Sequence, residues 1–198
     1  MKELLNQYNN EKTAIKSRLK DFSSIKNQEY FYEACFCLLT PQSNAKKCDE
    51  CIQILKKKDF QFKNFEIRNI LKTKTRFYNN KSNYLKLLKT NWKNIKPIIN
   101  KEPIEAREFL VNNVKGLGYK ESSHFLRNIG KRNLAILDRH ILTNLVKYKV
   151  IKELPKTLTK NKYLEIENKF KNFSNKINIP MDELDLLFWS MQTGEIFK

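Results

Sequence analysis

Glycine is nearly absent from this chain, at four residues in 198. Sheet proteins use glycine freely in their tight turns, and alternating apolar–polar runs are scarce here, so a sheet-centred fold is not expected. Cysteine is confined to Cys35, Cys37, Cys48 and Cys51. Cys48 and Cys51 have CxxC spacing, but no second pair and no histidine cluster complete a zinc site, so no metal is expected. Cys35 and Cys37 fall in the apolar stretch Phe31 to Leu39 and read as small buried hydrophobes. No apolar run approaches the ~18 residues of a membrane-spanning helix. Met1 to Lys12 is largely polar and does not read as a secretory signal. A cytoplasmic protein with reduced thiols and no membrane partner is the expectation. Acidic residues are the last deficit, 21 against 39 Lys and Arg, for a formal charge of +18. A polyanionic partner, DNA or RNA, accounts for that excess; a genome rich in Lys and Asn codons accounts for it too.

What is present is helical. Hydrophobic residues make up 40% of the chain, enough for a real core. Phe31, Ala34, Cys35 and Leu38 recur at helical spacing, as do Ser122, Phe125, Leu126 and Ile129, and Leu184, Leu187, Phe188 and Met191. Pro41, Pro97, Pro103, Pro155, Pro180 and Gly130 mark stops. Helices are expected near 2–20, 28–39, 43–57, 64–71, 81–89, 103–114, 120–129, 139–148, 160–173 and 181–193. The fold class is all-α. No flexible linker divides the chain, so two lobes, if present, are packed rather than tethered. The expected division puts 28–138 in a central lobe and 1–27 with 139–198 in a second lobe, with a cleft between them.

Two of the glycines stand one residue apart in Lys115-Gly116-Leu117-Gly118-Tyr119-Lys120. So close a pair, in so glycine-poor a chain, points to a backbone that turns sharply between two helices. Ala106, Phe109, Leu110 and Val114 give the first helix an apolar face, Leu117 would plug into the core, and small Ser122 lets the second helix pass close. The amides of the turn and the positive end of the second helix suit a phosphate oxygen. This is the pattern of a helix-hairpin-helix motif. An ordinary helical hairpin with a glycine turn gives the same pattern.

Lys120 begins the second helix, and Asp138 follows 18 residues later in Ala135-Ile136-Leu137-Asp138-Arg139-His140. Alone, Lys120 reads as a solvated lysine or a phosphate contact, and Asp138 as a helix N-cap. Together, Gly-Leu-Gly-Tyr-Lys and Leu-Asp-Arg-His resemble the HhH-GPD superfamily of DNA base-excision glycosylases. That resemblance implies a lysine nucleophile at 120 and an aspartate partner at 138. The amine would attack the deoxyribose carbon, form a Schiff base and break the strand by β-elimination. The carboxylate would steady the cationic sugar. It also implies DNA contacts from Gln42, Gly116, Gly118, Tyr119 and His140, with a phosphate held at the hairpin directly or through a monovalent cation. His124 reads as a packing or helix-surface residue.

Within the superfamily, the absence of cysteine after Cys51 argues against the branch with a C-terminal iron–sulfur loop. The chain is instead similar to the compact, archaeal-type 8-oxoguanine DNA glycosylase/AP lyases. The segments that carry the likeness are Glu33 to Thr40, Ala106 to Leu110, Gly118 to Glu121, Ser123 to Asn128, Tyr163 to Asn168 and Glu183 to the terminus. It is weakest between Gln53 and Lys72. The resemblance implies a base pocket of Phe77, Trp189 and the last residue, Lys198. Tyr78 competes with Phe77 for its place, and Asp185, Trp189 and Gln192 share one face of the last helix. In this reading Gln42, in Thr40-Pro41-Gln42-Ser43-Asn44, fills the gap left by the extruded base; a plain proline turn capped by Ser43 or Asn44 is the other reading. The expected protein is a monomeric enzyme of prokaryotic base excision repair, acting on 8-oxoguanine in duplex DNA without a redox or nucleotide cofactor. The alternatives are a glycosylase of the same fold for an oxidised pyrimidine or alkylated purine, and a non-catalytic helix-hairpin-helix binding module.

Overall fold

Two helices, one near each end of the chain, are buried on almost every side, and each organises a compact unit of its own. The computed structural model describes residues 1–198 and contains helices and loops without a strand. One unit comprises Ile25–Phe125; the other is built from the two chain ends, Met1–Ser24 and Leu126–Lys198.

In the central unit the organising helix is α2 (Tyr30–Leu39), whose residues Phe31 to Leu39 are all buried. It packs against α3 (Ala45–Lys57) and α5 (Tyr78–Ile95). Phe31 meets the Trp92 ring edge-on at 5.4 Å. Pro41 ends α2, and Asn44 rather than Ser43 caps α3, its side chain accepting from the Lys47 amide at 3.1 Å. Helix α4 (Arg68–Lys72) is shorter than expected because the Glu66 carboxylate takes the Arg68 amide at 2.8 Å and starts it there. Helix α5 is longer than expected at both ends. Leu85, Leu88, Trp92 and Ile95 keep its buried stripe going to a 3₁₀ turn, Lys96–Asn100, where Pro97 interrupts it. Helix α6 (Pro103–Asn113) and α7 (Tyr119–Asn128) form the hairpin. All four cysteines are free and buried, Cys48 bonding to the Leu39 carbonyl at 3.2 Å. Burial pushes the Cys48 thiol up to about 12, so it stays protonated at neutral pH.

In the unit built from the chain ends the organising helix is α10 (Met181–Thr193), buried from Met181 to Phe188. Around it pack α1 (Lys2–Ser23), α8 (Arg139–Lys147) and α9 (Lys160–Lys176). Three acids on α10 are buried, and each has a partner. Glu183 accepts from the Tyr8 hydroxyl at 2.5 Å, Asp182 from the Asn133 amide at 3.1 Å, and Asp185 pairs with Arg127 at 3.2 Å. The guanidinium of Arg127 also lies 4.8 Å over the Phe22 ring.

The division falls inside α7, between Phe125 and Leu126, so Asp138 belongs with the chain ends rather than with the central residues it was expected to close. The cause is local. The extended stretch Leu134 to Leu137 is buried, and α9 supplies its hydrogen bonds. Glu167 accepts the Ala135 amide at 2.8 Å, and the Tyr163 hydroxyl donates to the Ala135 carbonyl at 2.6 Å.

Candidate active site

The hairpin is built as its composition suggests, with one exception. Leu117 is buried in the turn, as are Ala106, Leu110 and Val114 of the preceding helix. Its phenolic hydroxyl anchors Tyr119 to both carboxylate oxygens of Glu108, at 2.7 and 2.8 Å, locking the second helix to the first. Phe109, expected on the buried face, is half-exposed, whereas Arg107 is 1% exposed. Its guanidinium stacks 5.4 Å from the Tyr119 ring and donates to the Ser123 hydroxyl at 3.3 Å. A buried cation in this helix was not foreseen from the sequence. Its sign is an arginine adjoining the apolar stripe at Ala106. His124 packs edge-on against Phe36 at 5.8 Å.

The two hairpin glycines are not equivalent. Gly116 has φ of +94°, and a Cβ there would come within 2.5 Å of Tyr84 and 2.9 Å of Leu38. Gly118 has ordinary backbone geometry, and a Cβ would meet only the mobile end of Glu121, at 3.2 Å. The sharp turn therefore needs Gly116 alone. Gly116→Ala is expected to destabilise the fold by about 2–4 kcal/mol, from left-handed backbone strain plus overpacking. Gly118→Ala should cost under about 1 kcal/mol. Thermal unfolding of the two variants checks this, and equal losses would contradict it.

Lys120 lies in the first turn of α7, with its side chain 22% exposed and Nζ 3.8 Å from Glu121 Oε1. That distance is too long for a hydrogen bond, so the amine is not tied down. In the same unit the turn at Thr40 to Asn44 carries Gln42, exposed and in the left-handed region at φ 54°. Phe77 is also left-handed, at φ 56°, standing at the N-terminus of α5 and 53% exposed. The Arg76 guanidinium lies 5.4 Å over that ring. These two turns are linked: the Ser43 hydroxyl accepts from the Arg76 amide at 2.9 Å and from Lys81 Nζ at 2.8 Å.

In the other unit Asp138 caps α8, Oδ1 accepting from the Ile141 amide at 2.8 Å. Its own amide donates to the Ile136 carbonyl at 2.7 Å, which fixes the bend into the helix. The second carboxylate oxygen is left without a protein partner. His140 stands on the first turn of α8, its ring edge-on to Trp189 at 6.4 Å. Asn144, one turn further, is buried and donates to the His140 carbonyl at 3.0 Å and the Phe188 carbonyl at 3.4 Å, strapping α8 to α10 beside Trp189. The face of α10 that carries Asp185, Trp189 and Gln192 is graded: Asp185 is buried in its ion pair, Trp189 is half-exposed and Gln192 exposed. Asp185 is thus a structural residue. Gly194 ends α10 in the left-handed region at φ 78°, turning the tail. The tail then docks on α1, where Arg18 Nε donates to the Phe197 carbonyl at 2.8 Å, next to Lys198. Arg18 was not singled out in the sequence, and no local pattern marks it.

No three His, Cys, Asp or Glu side chains are grouped to hold a metal ion, and no helix is long and apolar enough to cross a membrane.

Residues 15–179 match the family model described as 8-oxoguanine DNA glycosylase. The 8-oxoguanine DNA glycosylase/AP lyase of Fusobacterium nucleatum is 47% identical, with 93% of this chain and 91% of that protein aligned. The protein of the same description from Methanocaldococcus jannaschii is 42% identical, over 94% and 93%. Among solved structures, the M. jannaschii 8-oxoguanine glycosylase/lyase in complex with a 15mer DNA containing 8-oxoguanine matches with a TM-score of 0.90 at 39% identity, over 100% of this chain and 98% of that one. The 8-oxoguanine DNA glycosylase of Thermotoga maritima matches with a TM-score of 0.90 at 28% identity, over 100% and 97%.

Proposed function

The chain belongs to the 8-oxoguanine DNA glycosylase family, and we propose that it removes 8-oxoguanine from DNA with Lys120 as nucleophile and Asp138 as its carboxylate partner. It is a DNA repair enzyme, a glycosylase and AP lyase, and its partner is DNA carrying that lesion. The observation that carries the residue assignment is a pair of features within the matched residues. One is an untied amine on the first turn after the hairpin; the other is a carboxylate whose cap leaves one oxygen free.

The chemistry follows from those two groups. The Lys120 lone pair attacks C1′ of the nucleotide, and the C1′–N9 bond breaks, its electrons leaving with the base, which takes up a proton. The nitrogen gives up a proton as the sugar ring opens to an iminium. Loss of a C2′ proton then expels the 3′ phosphate by β-elimination. Positive charge develops on the sugar as the base departs, and the free oxygen of Asp138 stabilises it. Asp138 stays in place because its other oxygen holds the helix.

The remaining residues bind. The hairpin backbone at Gly116 to Tyr119 takes a phosphate oxygen, directly or through a monovalent cation. His140 is assigned a DNA contact as well. Phe77 and Trp189 each offer a ring face to the extruded base, and Gln42 fills the space it vacates. Lys198 reads the base. Oxidation puts a hydrogen on the purine seven-position nitrogen, turning an acceptor into a donor, and an acceptor placed against it separates the two purines by hydrogen-bond polarity.

Duplexes with single lesions, treated with borohydride, test the reading. A trapped adduct is expected with 8-oxoguanine. Adducts confined to an oxidised pyrimidine or an alkylated purine would move the substrate, and none on any lesion would leave a binding module. Removing Lys198 is expected to cut selectivity for 8-oxoguanine about 10–100-fold, with cleavage at a ready-made abasic site little changed. Equal loss on both substrates would take Lys198 out of base recognition.

A further inference from the structure

Lys81 takes no part in the chemistry above, yet it is an unusual cation. It is 4% exposed, on the buried stripe of α5 with Leu85 and Leu88, and it has no carboxylate partner. Its Nζ donates to the Leu39 carbonyl at 2.6 Å, the Pro41 carbonyl at 2.9 Å and the Ser43 hydroxyl at 2.8 Å. Those three acceptors wrap the turn that carries Gln42. Ser43 passes the link on, since the same hydroxyl takes the Arg76 amide at 2.9 Å, immediately before Phe77. One ammonium and one hydroxyl thus tie together two turns that are far apart in the chain. Each turn holds a non-glycine residue in the left-handed region, Gln42 and Phe77, and each of those side chains is exposed. Backbone of that kind persists where the surroundings over-determine it, and it gathers at working surfaces. Burying a lysine against neutral oxygens alone is costly, and desolvation draws the Lys81 ammonium below the usual lysine range.

We infer that Lys81 is a positioning residue, which holds Gln42 and Phe77 in fixed poses toward the damaged duplex through the Leu39, Pro41 and Ser43 oxygens. The inference rests on the roles given to Gln42 and Phe77 above. It separates two steps. Extruding a stacked, paired base requires the gap to be filled and the base to be received; an abasic site has no base to unstack and opens at little cost.

The test uses the full chain and compares single-turnover excision from an 8-oxoguanine duplex with strand cleavage at a ready-made abasic site. Lys81→Met keeps the apolar stem and removes the donors. It should lower excision about 10–100-fold and abasic cleavage less than about 3-fold. Combining it with Gln42→Ala should cost little more than the worse single change, because both act through one turn. Lys81→Arg, which retains donors, should recover part of the loss. Should Lys81→Met fail to fold, Ser43→Ala decides: it leaves both carbonyl bonds in place and cuts the link to Arg76, for an expected loss of about 3–10-fold in excision alone. Equal losses on the two substrates, or an additive double variant, would overturn the inference and make Lys81 a fold-stabilising strut. Losses in Gln42→Ala and Phe77→Ala with wild-type behaviour in Lys81→Met and Ser43→Ala would overturn it at Lys81 only. Unchanged excision in Gln42→Ala and Phe77→Ala would overturn it one level down, at the reading of those two residues.

Discussion

Lys120→Gln is expected to give no borohydride-trapped adduct on 8-oxoguanine DNA and to excise the base at least about 10³-fold more slowly, while still binding the duplex. Glutamine matches the reach of the lysine stem and keeps hydrogen-bonding capacity, but it has no amine to form an iminium. The fold has little stake in the change. Nζ is 3.8 Å from its nearest acid, Glu121, and the side chain keeps part of its surface in water. A partly exposed ion pair of that length contributes no more than about 1 kcal/mol. Loss of one positive charge should weaken DNA binding less than about tenfold at moderate salt. Three measurements on one variant therefore answer separately: trapping reports the nucleophile, a binding isotherm reports the hairpin, and thermal unfolding reports the fold. A persistent adduct would move the nucleophile to another amine. A variant that neither traps nor binds would show that Lys120 serves the phosphate backbone.

Asp138→Asn is the second large effect, because it divides the capping that the Asp138 carboxylate performs from the catalytic part proposed for it. Oδ1 caps α8 by accepting the Ile141 amide. Asparagine caps a helix about as well as aspartate, so the midpoint of thermal unfolding should shift by less than about 3 °C. The negative charge is gone, however, and excision should fall about 10²–10⁴-fold for want of a counter-charge to the cationic sugar. Asp138→Ala should lose the same activity and, in addition, about 1 kcal/mol of stability from the missing cap. If Asp138→Asn retains full activity, the residue is a cap and nothing more. Trapping at a ready-made abasic site refines the outcome. A residue needed chiefly as the base departs should lose less there than on the intact lesion.

Several of these residues could be placed from the chain alone because their evidence is local. Helical spacing marked α2, α8 and α10 to within a few residues, since an amphipathic or wholly apolar period is visible in any short window. Asp138 could be recognised as a cap for the same reason, sitting just before Ile141, Leu142 and Leu145. The hairpin showed itself in a glycine pair that a glycine-poor chain would not place by accident. Its two glycines could not be told apart, however, because only the folded turn gives Gly116 its left-handed backbone and brings up Tyr84 and Leu38, which are remote in sequence.

Charge burial was the least legible property. Arg107, Arg127, Lys81, Asp182, Glu183 and Asp185 are all buried, though each would pass for a solvated group in a chain with this much charge. Whether such a side chain is buried depends on partners far away, such as Tyr8 for Glu183 or the Leu39 carbonyl for Lys81.

By itself the sequence determined an all-helical chain, a strong positive charge, and the place of a lysine just after the hairpin and of an aspartate that caps a helix, because periodicity, net charge and short motifs depend on neighbours along the chain. Tertiary structure alone decided that Leu134 to Leu137 runs along α9 and so carries Asp138 into the unit of the chain ends, that Arg18 holds the tail, and that Lys81 joins two strained turns. Those are hydrogen bonds between residues tens of positions apart. They form only once the apolar stripes have packed, and no window of sequence contains both partners.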